Sequence, residues 1–517
     1  MPKGQTLQVV FKQDFQGQGI LIPLTLEELV PAGHPVRTVS AVLDNIDLKP
    51  ILRRYKAGGT SSYHPRMLLK ALVYAYMNNI YSSRKIEEAL SQNIMFMWLC
   101  GMGKPDHNTI NRFRGKRLAQ TLEPIFAEVV QLLCGEGLLD IKDLYTDGTK
   151  IEANANRYSF VWGKSIKTNR ERIKQQLKEL WAYAKEVTAT EINDGTDPSG
   201  FEKIDAQKVK QAIAAINTAV KESEAALPKN IRQKLAYAEK NWPAALDKYE
   251  AQEQIMGDGR NSYSKTDTGA TFMRMKEDHM GNGQLKPAYN LQISTNNQYI
   301  TTYSIHQNTT DTNTLIAHTQ QHKNQYSQLP ESITADAGYG SEQNYQYLEN
   351  ETIEAYVKHN QFDRLQHKTT QQKQPFSAGK LYYNEAGHYY VCPMGQHMQY
   401  LGTYTKTTAA GYPQQVKKYR ARNCEGCPLR GVCHQTQGNR VIEVNANLNR
   451  LKAKAEELLT SQKGTEKRKQ RCHDVEPVFA NIKHNHGFKR FMLRGIHKVT
   501  VETGLLAIAH NLRKKTA

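Results

Sequence analysis

Three acidic side chains, widely separated along the chain, occupy positions at which carboxylates could do chemistry together. Asp147 interrupts the apolar stretch LYTDGTKIEA, and Asp336 ends another, SITAD. Carboxylates at the edge of an apolar sheet are costly unless they are paired or bound to a cation. Oxygen ligands of this kind suit Mg²⁺ or Mn²⁺, and two such ions about 4 Å apart can activate a water or a hydroxyl and stabilise a leaving oxygen. The two stretches therefore predict a metal site where they converge.

A third carboxylate is needed to complete such a site, and spacing favours Glu476 in RCHDVEPVFANIK. Pro477 fits the first turn of a helix, which predicts that Glu476 lies near a helix N-terminus. Lys483 would then lie two turns further along the same face, about 10 Å away, where it could meet a phosphate. Asp474 and Glu502 are rivals for the third acid.

Each acid also has a purely structural interpretation. Asp147-Gly148 fits an ordinary turn, and so does the Asp-Ala-Gly stretch at 336–338, because Asp and Gly favour turns. Glu476 fits an acidic residue that meets the dipole at the start of a helix. Taken singly, no acid decides between the two interpretations.

The bulk composition points to a polyanion as the partner of this chain. Its 517 residues carry 69 Lys and Arg against 50 Asp and Glu, which gives a net charge of +19 and a pI of about 9.4. A basic excess of this size attracts nucleic acid; the alternative is a basic protein that binds none. With 39% hydrophobic residues, the chain can bury a sizeable core.

The sequence gives no sign of a membrane or secretory protein. Its most apolar run, MLLKALVYAYM, is short and interrupted by Lys70, so no membrane span is expected. The N-terminus lacks the apolar region of a signal peptide. Seven unevenly spaced cysteines fit reduced thiols, and we expect a cytoplasmic, nucleoid-associated protein.

The first 120 residues predict a possible strand, LQVVF, followed by short helices. HPRMLLKALVYAYMNNI and SSRKIEEAL have apolar residues at helical spacing, and PDHNTINRFRGKRL opens a further helix behind Pro105 and Asp106. A run of helices that ends in one rich in Asn and Arg resembles a helix-turn-helix; the alternative is a solvated basic face. The candidate DNA contacts are Asn108, Asn111, Arg112, Arg114, Lys116 and Arg117.

The rest of the chain alternates between helical and strand-like patterns. Residues 165–255, rich in Lys, Glu, Gln and Ala, contain three stretches that predict long helices, with turns at 193–200 and 228–230. We expect them to form an antiparallel helical hairpin that serves either as a spacer or dimer contact or as a DNA clamp. ATFMRMKED, LKPAYNLQISTNN and YITTYSIHQ alternate as strands of a meander. Residues 360–440 read as irregular, and the stretch from Asn447 as mostly helical.

Four cysteines in the irregular segment could bind one Zn²⁺. CEGCPLRGVC supplies a Cys-x2-Cys knuckle, and Gly and Pro beside the cysteines suit tight turns. His397 and His434 are fallback ligands, and the alternative is four unrelated free thiols. The candidate zinc ligands are Cys392, Cys424, Cys427 and Cys433.

Three stretches resemble, in the right order, the three acid-bearing segments of bacterial insertion-sequence transposases of the DDE type: YTDGTKIEANANRYSFVWGKS, TADAGYGS and VEPVFANIK. The first 120 residues resemble the N-terminal helical domain of that family. One departure concerns the Tyr and Arg that relatives often carry upstream of the Glu. Here Lys469 and Cys472 occupy those positions, and Arg471 is one residue out.

The resemblance implies an RNase H-like mixed sheet, shared with retroviral integrases, within a multidomain α+β or α/β protein. We expect an N-terminal helical DNA-binding domain at 1–120 and a catalytic core built from 121–160, 260–360 and 440–517. A helical insertion would occupy 161–259, and a small Cys-rich, zinc-ribbon-like insertion 361–439. Asp147, Asp336 and Glu476 would bind two Mg²⁺ or Mn²⁺ ions, with Lys483 beside them.

The function implied is cleavage at the terminal inverted repeats of an insertion sequence and transfer of the cut ends to a target. Double-stranded DNA is the expected partner, and at least a dimer is expected on DNA, because two ends must meet. Two alternatives stay open: a sequence-specific DNA-binding regulator with a relict catalytic core, and an RNase H-like nuclease without strand transfer.

Overall fold

A computed structural model describes residues 25–55, 62–188, 197–222, 227–275, 283–366 and 376–517. The predicted strand LQVVF lies outside these residues. No helix within the described ranges is long and apolar enough to cross a membrane.

A mixed sheet forms the centre of the molecule. Its strands run in the order β4-β5-β1-β7-β8, and β6 also pairs with β5. The long strand β1 is antiparallel to β5 and parallel to β7, which is in turn parallel to β8. The meander predicted from period-two alternation is therefore present. The strands are β1 (Asp143–Glu152), β4 (Thr271–Arg274), β5 (Leu285–Asn296), β6 (Tyr299–His306), β7 (Ser332–Ala335) and β8 (Glu354–Val357), and a separate ribbon pairs β2 (Phe160–Trp162) with β3 (Ser262–Ser264).

Short helices precede the sheet, as the apolar spacing predicted. Asp106 begins one of them by accepting a hydrogen bond from the Thr109 N–H at 2.7 Å, which satisfies one of the unpaired amides of a helix start. A π-helical turn, Phe113–Arg117, follows that helix directly. The helices are α1 (Leu26–Leu29), α2 (Pro35–Asp44), α3 (Lys49–Leu52), α4 (Pro65–Met77), α5 (Ser83–Gln92), α6 (Ile94–Leu99), α7 (His107–Arg112) and α8 (Leu122–Gly135).

The C-terminal helices close the fold against both the sheet and the N-terminal helices. α17 (Ile496–Thr516) packs on α4, α8 and β6, and its residues 499 and 501–512 are buried. One hydrophobic core therefore joins the N-terminal helices to the central sheet. The remaining helices of this part are α12 (Leu315–Tyr326), α13 (Glu342–Asn350), α14 (Phe362–Leu365), α15 (Ala446–Thr460) and α16 (Gln462–Ala480).

The predicted helical insertion contains three long helices, as its sequence indicated, and they form a three-helix bundle rather than a simple hairpin. α9 (Gly163–Thr188), α10 (Ala206–Glu222) and α11 (Lys229–Met256) pack on one another around a core of their own. Each of the three helices buries its apolar stripe in this core, so each helix packs against the other two.

The segment predicted to be irregular contains a five-stranded antiparallel sheet, so that prediction was also wrong. Its strands are mostly polar, and only alternate residues such as Met398, Tyr419 and Ile442 are buried against a small core. A sheet with one solvated face reads from sequence as a polar segment. The strands are β9 (Tyr383–Asn384), β10 (Tyr389–Val391), β11 (His397–Thr407), β12 (Pro413–Arg420) and β13 (Val441–Val444).

A buried polar network joins the N-terminal helices to the C-terminus. Arg114 is only 2% exposed, and its Nη1 donates to the Tyr76 hydroxyl at 3.0 Å and the Tyr81 carbonyl at 2.8 Å. The Tyr76 hydroxyl in turn lies 3.3 Å from Glu502. Burial raises the pKa of Glu502, and the charge of Arg114 acts against that rise. Arg114 therefore belongs to the core and is removed from the predicted DNA contacts.

Replacing Arg114 by Met keeps the apolar stem but leaves Glu502 without its neutralising charge. We expect the free energy of unfolding to fall by about 3 kcal/mol, measured by urea denaturation. The matched control is Arg112→Met on the exposed face of the same segment, which should change it by less than about 0.5 kcal/mol. Equal effects of the two substitutions would contradict the structural role of Arg114.

Candidate active site

The central strands bring Asp147 and Asp336 to the same end of the sheet. Parallel pairing of β1 with β7 sets Tyr145 opposite Thr334, and each acid comes two residues further along its own strand. Asp147 sits within β1, where its side chain is 14% exposed. Asp336 follows β7 immediately, and its Oδ1 accepts a hydrogen bond from the Gly338 N–H at 2.8 Å. Asp147 therefore lies within a strand and not in a turn, whereas Asp336 follows its strand and begins the short 3₁₀ turn Ala337–Tyr339, as its structural interpretation predicted.

Helix α16 carries Glu476 across the sheet. The helix contacts β1, β5 and β7, and the flanking residues Val475 and Val478 are buried. The Glu476 side chain itself is 53% exposed. Lys483 follows in the π-helical turn Asn481–Asn485 that continues the helix, and it is half-buried.

Arg471 links the first and third acids. Its Nη1 lies 3.4 Å from Asp147 Oδ2, and its Nη2 lies 3.4 Å from Glu476 Oε1. The guanidinium therefore stands between two carboxylates that come from opposite ends of the chain. The Arg471 side chain is 15% exposed, so solvent screens these contacts less than it would on an open surface.

The helix start predicted at Pro477 was wrong. Pro477 lies near the C-terminal end of α16, which begins at Gln462 and continues through the proline. A proline inside a helix leaves the carbonyl four residues earlier without its usual donor. Gln298 supplies one here, because its Nε2 donates to the His473 carbonyl at 2.9 Å.

The two rival acids lie in other surroundings. Asp474 is fully buried and accepts a hydrogen bond from the Gln298 N–H at 3.1 Å, so it faces the turn between β5 and β6. Glu502 belongs to the network of Arg114 and accepts from the Leu493 N–H at 3.0 Å. Of the three candidates for the third acid, Glu476 is the one joined to Asp147 through a shared arginine.

A fourth acid, Asp311, adjoins the site and was missed by the sequence analysis. Its Oδ1 accepts from Asn290 Nδ2 at 2.8 Å and from Gln292 Nε2 at 2.9 Å. A Cβ on Gly148 would lie 2.7 Å from the same oxygen, so the acid reaches the backbone of β1 beside Asp147 only because residue 148 is glycine. Within the stretch NTTDTN, Asp311 reads as an ordinary loop residue.

The buried hydroxyl of Tyr339 interacts electrostatically with three of the acids. Burial raises the pKa of its hydroxyl well above the usual range, and the carboxylates of Asp311, Asp147 and Asp336 raise it further. The hydroxyl therefore stays protonated, and it donates to Gln292 Oε1. A buried donor accordingly lies among the acids. Within the described ranges, no three His, Cys, Asp or Glu side chains approach closely enough to hold one metal ion.

The predicted DNA-contacting residues fall into two groups. Asn108, Asn111, Arg112 and Lys116 are exposed. Arg117 is half-buried: it stacks on the Tyr55 ring at 4.6 Å and donates to the Arg54 carbonyl. The exposed face of this segment is therefore smaller than the sequence predicted.

The four cysteines of the second predicted insertion, residues 361–439, share one small cavity of about 20 Å³ with His434. Backbone N–H groups donate to two of their sulfurs at 3.3 Å. His397 lies outside the residues that line this cavity and stacks on Tyr389 with ring centroids 3.9 Å apart. The cavity brings together Cys392, Cys424, Cys427 and Cys433.

Two family models match this chain. The model described as a transposase DDE domain matches residues 391–516, and the model described as a transposase domain (DUF772) matches residues 24–116. No curated protein and no solved structure matches the chain. The first match contains Glu476 and the four cysteines, and the second covers the N-terminal helices. The two matches lie in the order expected along the chain, and together they support an insertion-sequence transposase of the DDE type.

Proposed function

We propose that this transposase binds the terminal inverted repeats of an insertion sequence and catalyses cleavage and transfer of DNA strands at Asp147, Asp336 and Glu476. The proposal is carried by two observations: Arg471 contacts both Asp147 and Glu476, and the pairing of β1 with β7 brings Asp147 and Asp336 to the same end of the sheet. They come from strands and a helix separated by more than 300 residues of chain. The central mixed sheet with an acid on its middle strand supports the RNase H-like core that the resemblance implies.

The donor set fits divalent cations, which DDE transposases normally use. Asp147, Asp336 and Glu476 offer hard oxygen ligands, and they would hold the ions. Arg471 Nη1 is buried without a hydrogen-bond partner in the described part of the chain, although Asp147 lies 3.4 Å away. The two carboxylates thus favour a positive charge between them, but the Nη1 of Arg471 forms no hydrogen bond with either. Bound ions would activate a water or 3′-hydroxyl and stabilise the leaving oxygen.

The residues behind the acids position them. Asp311, Asn290 and Gln292 form a hydrogen-bonded cluster against the backbone of β1 at Gly148. Tyr339 fixes the orientation of the Gln292 carboxamide by donating to its oxygen. This cluster limits the movement of β1 where it carries Asp147, and a catalytic carboxylate must be held to within a fraction of an ångström.

The N-terminal helices would supply DNA contacts through their exposed polar face. Arg112 and Lys116 carry charges that can neutralise phosphates, while Asn108 and Asn111 can meet phosphates or base edges. Lys483 is placed by α16 on the same helical segment as Glu476, and we propose that it meets a phosphate next to the scissile bond. Two ends must be brought together for transfer, so we propose at least a dimer on DNA.

We also propose that the four cysteines of the second insertion hold a structural Zn²⁺. They line a single cavity, and N–H groups of Gln396 and Arg440 donate to Cys392 and Cys424 sulfurs. Such donors stabilise thiolates, which are the zinc-binding form of cysteine. The ion would cross-link a small sheet that has little hydrophobic core of its own.

Replacing any of the three acids by its amide should abolish DNA cleavage. We expect Asp147→Asn, Asp336→Asn and Glu476→Gln each to lower Mg²⁺-dependent release of 3′-hydroxyl ends by about 10³-fold or more, measured on the element's end DNA. The matched control is Glu466→Gln, an exposed acid of the same helix, which should cleave normally. Wild type that binds the end DNA but never cleaves it would favour the regulator with a relict core.

The proposed phosphate contacts make DNA binding sensitive to salt. Arg112→Ala and Lys116→Ala should each reduce the slope of log affinity against log salt concentration by about 0.9 on duplex DNA. Lys142→Ala is the control, because this exposed lysine precedes β1 and already pairs with Glu331 at 2.9 Å. Unchanged slopes in both test variants would exclude this helical face as a DNA contact.

The zinc proposal predicts one zinc ion per chain in protein purified without chelators, measured by elemental analysis. Cys427→Ser should lose the metal, because sulfur ligands complete the tetrahedral site. Cys472→Ser removes an exposed cysteine of α16 outside the cavity and should keep it. A wild-type chain that stays free of zinc after incubation with the ion would disprove this site.

A further inference from the structure

A cleft of about 670 Å³ opens beside the loop that carries Asp311 and is not used by the proposed chemistry. Four segments line it: the end of the helical insertion at 259–261, the loop 308–313 that carries Asp311, the start of α13 at 341–343, and the hairpin between β11 and β12 at 408–414. Both insertions therefore meet the catalytic core at this place. We call it the amide cleft, because carboxamides and hydroxyls make up most of its lining.

The two charged residues of the amide cleft are already engaged. Arg260 donates to backbone carbonyls, among them that of Thr268 at 2.8 Å. Glu342 accepts hydrogen bonds from Gln414 at 2.9 Å, Asn445 at 2.6 Å and Asn447 at 2.9 Å. The cleft thus offers no uncommitted charge among the residues that line it, and a phosphate or another strongly charged ligand is not its natural occupant.

Three carboxamides of the lining, by contrast, are available. The side chains of Asn308, Asn313 and Gln343 form no hydrogen bond within the described part of the chain. A carboxamide both donates and accepts, and the edges of nucleobases do the same. Tyr412 adds an aromatic ring from the hairpin, and such rings stack on bases without regard to sequence.

The amide cleft is continuous with the acid cluster. Thr310 and Thr312 line it on either side of Asp311. The Thr312 hydroxyl donates to the Gly338 carbonyl at 2.8 Å, within the turn that Asp336 begins. A group held in the cleft would therefore lie next to a DNA strand positioned at the acids.

We propose that the amide cleft binds an unpaired nucleotide of the DNA substrate by the edge of its base. The inference rests on the proposed function, because DNA must already lie at the acids. An unpaired nucleotide fits the cleft because pairing hides the Watson–Crick edge of a base, and a base outside the duplex presents that edge to the carboxamides. Holding one base outside the duplex next to the scissile phosphate fixes the strand in register with the acids.

The test compares two probes that carry equal charge. A short single-stranded oligonucleotide of mixed sequence and an abasic strand of the same length present the same phosphates, so salt affects both alike. In buffer without Mg²⁺ or Mn²⁺, to prevent cleavage, and without a chelator, to keep any bound zinc, wild type should bind the strand with bases at least about fivefold more tightly, measured by fluorescence anisotropy. This ratio should stay constant between 50 and 200 mM salt, while both affinities fall.

Variants then assign the preference to the amide cleft. Asn313→Ala combined with Gln343→Ala should bring the ratio close to one, and Tyr412→Leu should lower it while keeping an apolar side chain on the hairpin. The control is Asn350→Ala combined with Gln415→Ala, which removes exposed carboxamides outside the cleft and should keep the wild-type ratio. Circular dichroism of each variant verifies folding.

Two results would overturn the inference. One is a wild-type ratio close to one, and the other is a preference for bases that the cleft variants leave unchanged, because bases would then be bound elsewhere. If either occurs while the wild type still cleaves end DNA, the proposed function survives. If the wild type binds neither probe and cleaves no DNA, the proposed function itself fails.

Discussion

The pairing of β1 with a strand on each side is the constraint from which the rest of the site follows. β5 holds β1 by antiparallel hydrogen bonds along its length, from Tyr145 to Glu152, and β7 holds its beginning in parallel. A shift of the register by one residue would turn Asp147 to the opposite face of the sheet. It would also bring a residue other than glycine to the position of Gly148, where its side chain would overlap Asp311 and Gln292. Two neighbouring residues on opposite faces of β1 thus fix the register: Asp147 must face the site, and Gly148 must leave space for Asp311.

The same sheet depends on helices from both ends of the chain. Nearly every residue in the middle of α17 is buried between the sheet and the N-terminal helices. For this reason one hydrophobic core joins the N-terminal helices and the central sheet, which the sequence analysis had assigned to separate domains. Arg114, Tyr76 and Glu502 link the same regions by polar contacts within that core. The N-terminal helices are therefore fixed to the central sheet, and DNA bound at their exposed face, as we propose, would have a fixed direction toward the acids.

The sequence predicted the features that depend on local rules. Period-two alternation located β4, β5 and β6, and short apolar stretches located β1 and β7 together with Asp147 and Asp336. Predictions that depended on distant partners were less successful. Pro477 indicated a helix start by its local preference, but Gln298, which satisfies the carbonyl that the proline leaves unpaired, comes from a turn far away in sequence. Asp311 escaped notice because its partners Asn290 and Gln292 lie on another strand. Likewise, the burial of Arg114 could not be read from a segment that looks uniformly basic.

The two predicted insertions have one feature in common, because residues at the end of each border the amide cleft. An insertion can be tolerated at any exposed loop, and it need not approach the active site. Here residues next to α11 and the tip of the β11–β12 hairpin both border a cleft whose other walls carry Asp311 and the turn after Asp336. Glu342 holds this arrangement together, because a single buried carboxylate at the start of α13 accepts from Gln414 on the hairpin and from two asparagines that precede or begin α15. The carboxylate of Glu342 thus holds the hairpin of the second insertion against α13 and the start of α15. The position of the cleft relative to the acids is therefore set by contacts between helices and strands, and not by the conformation of a loop.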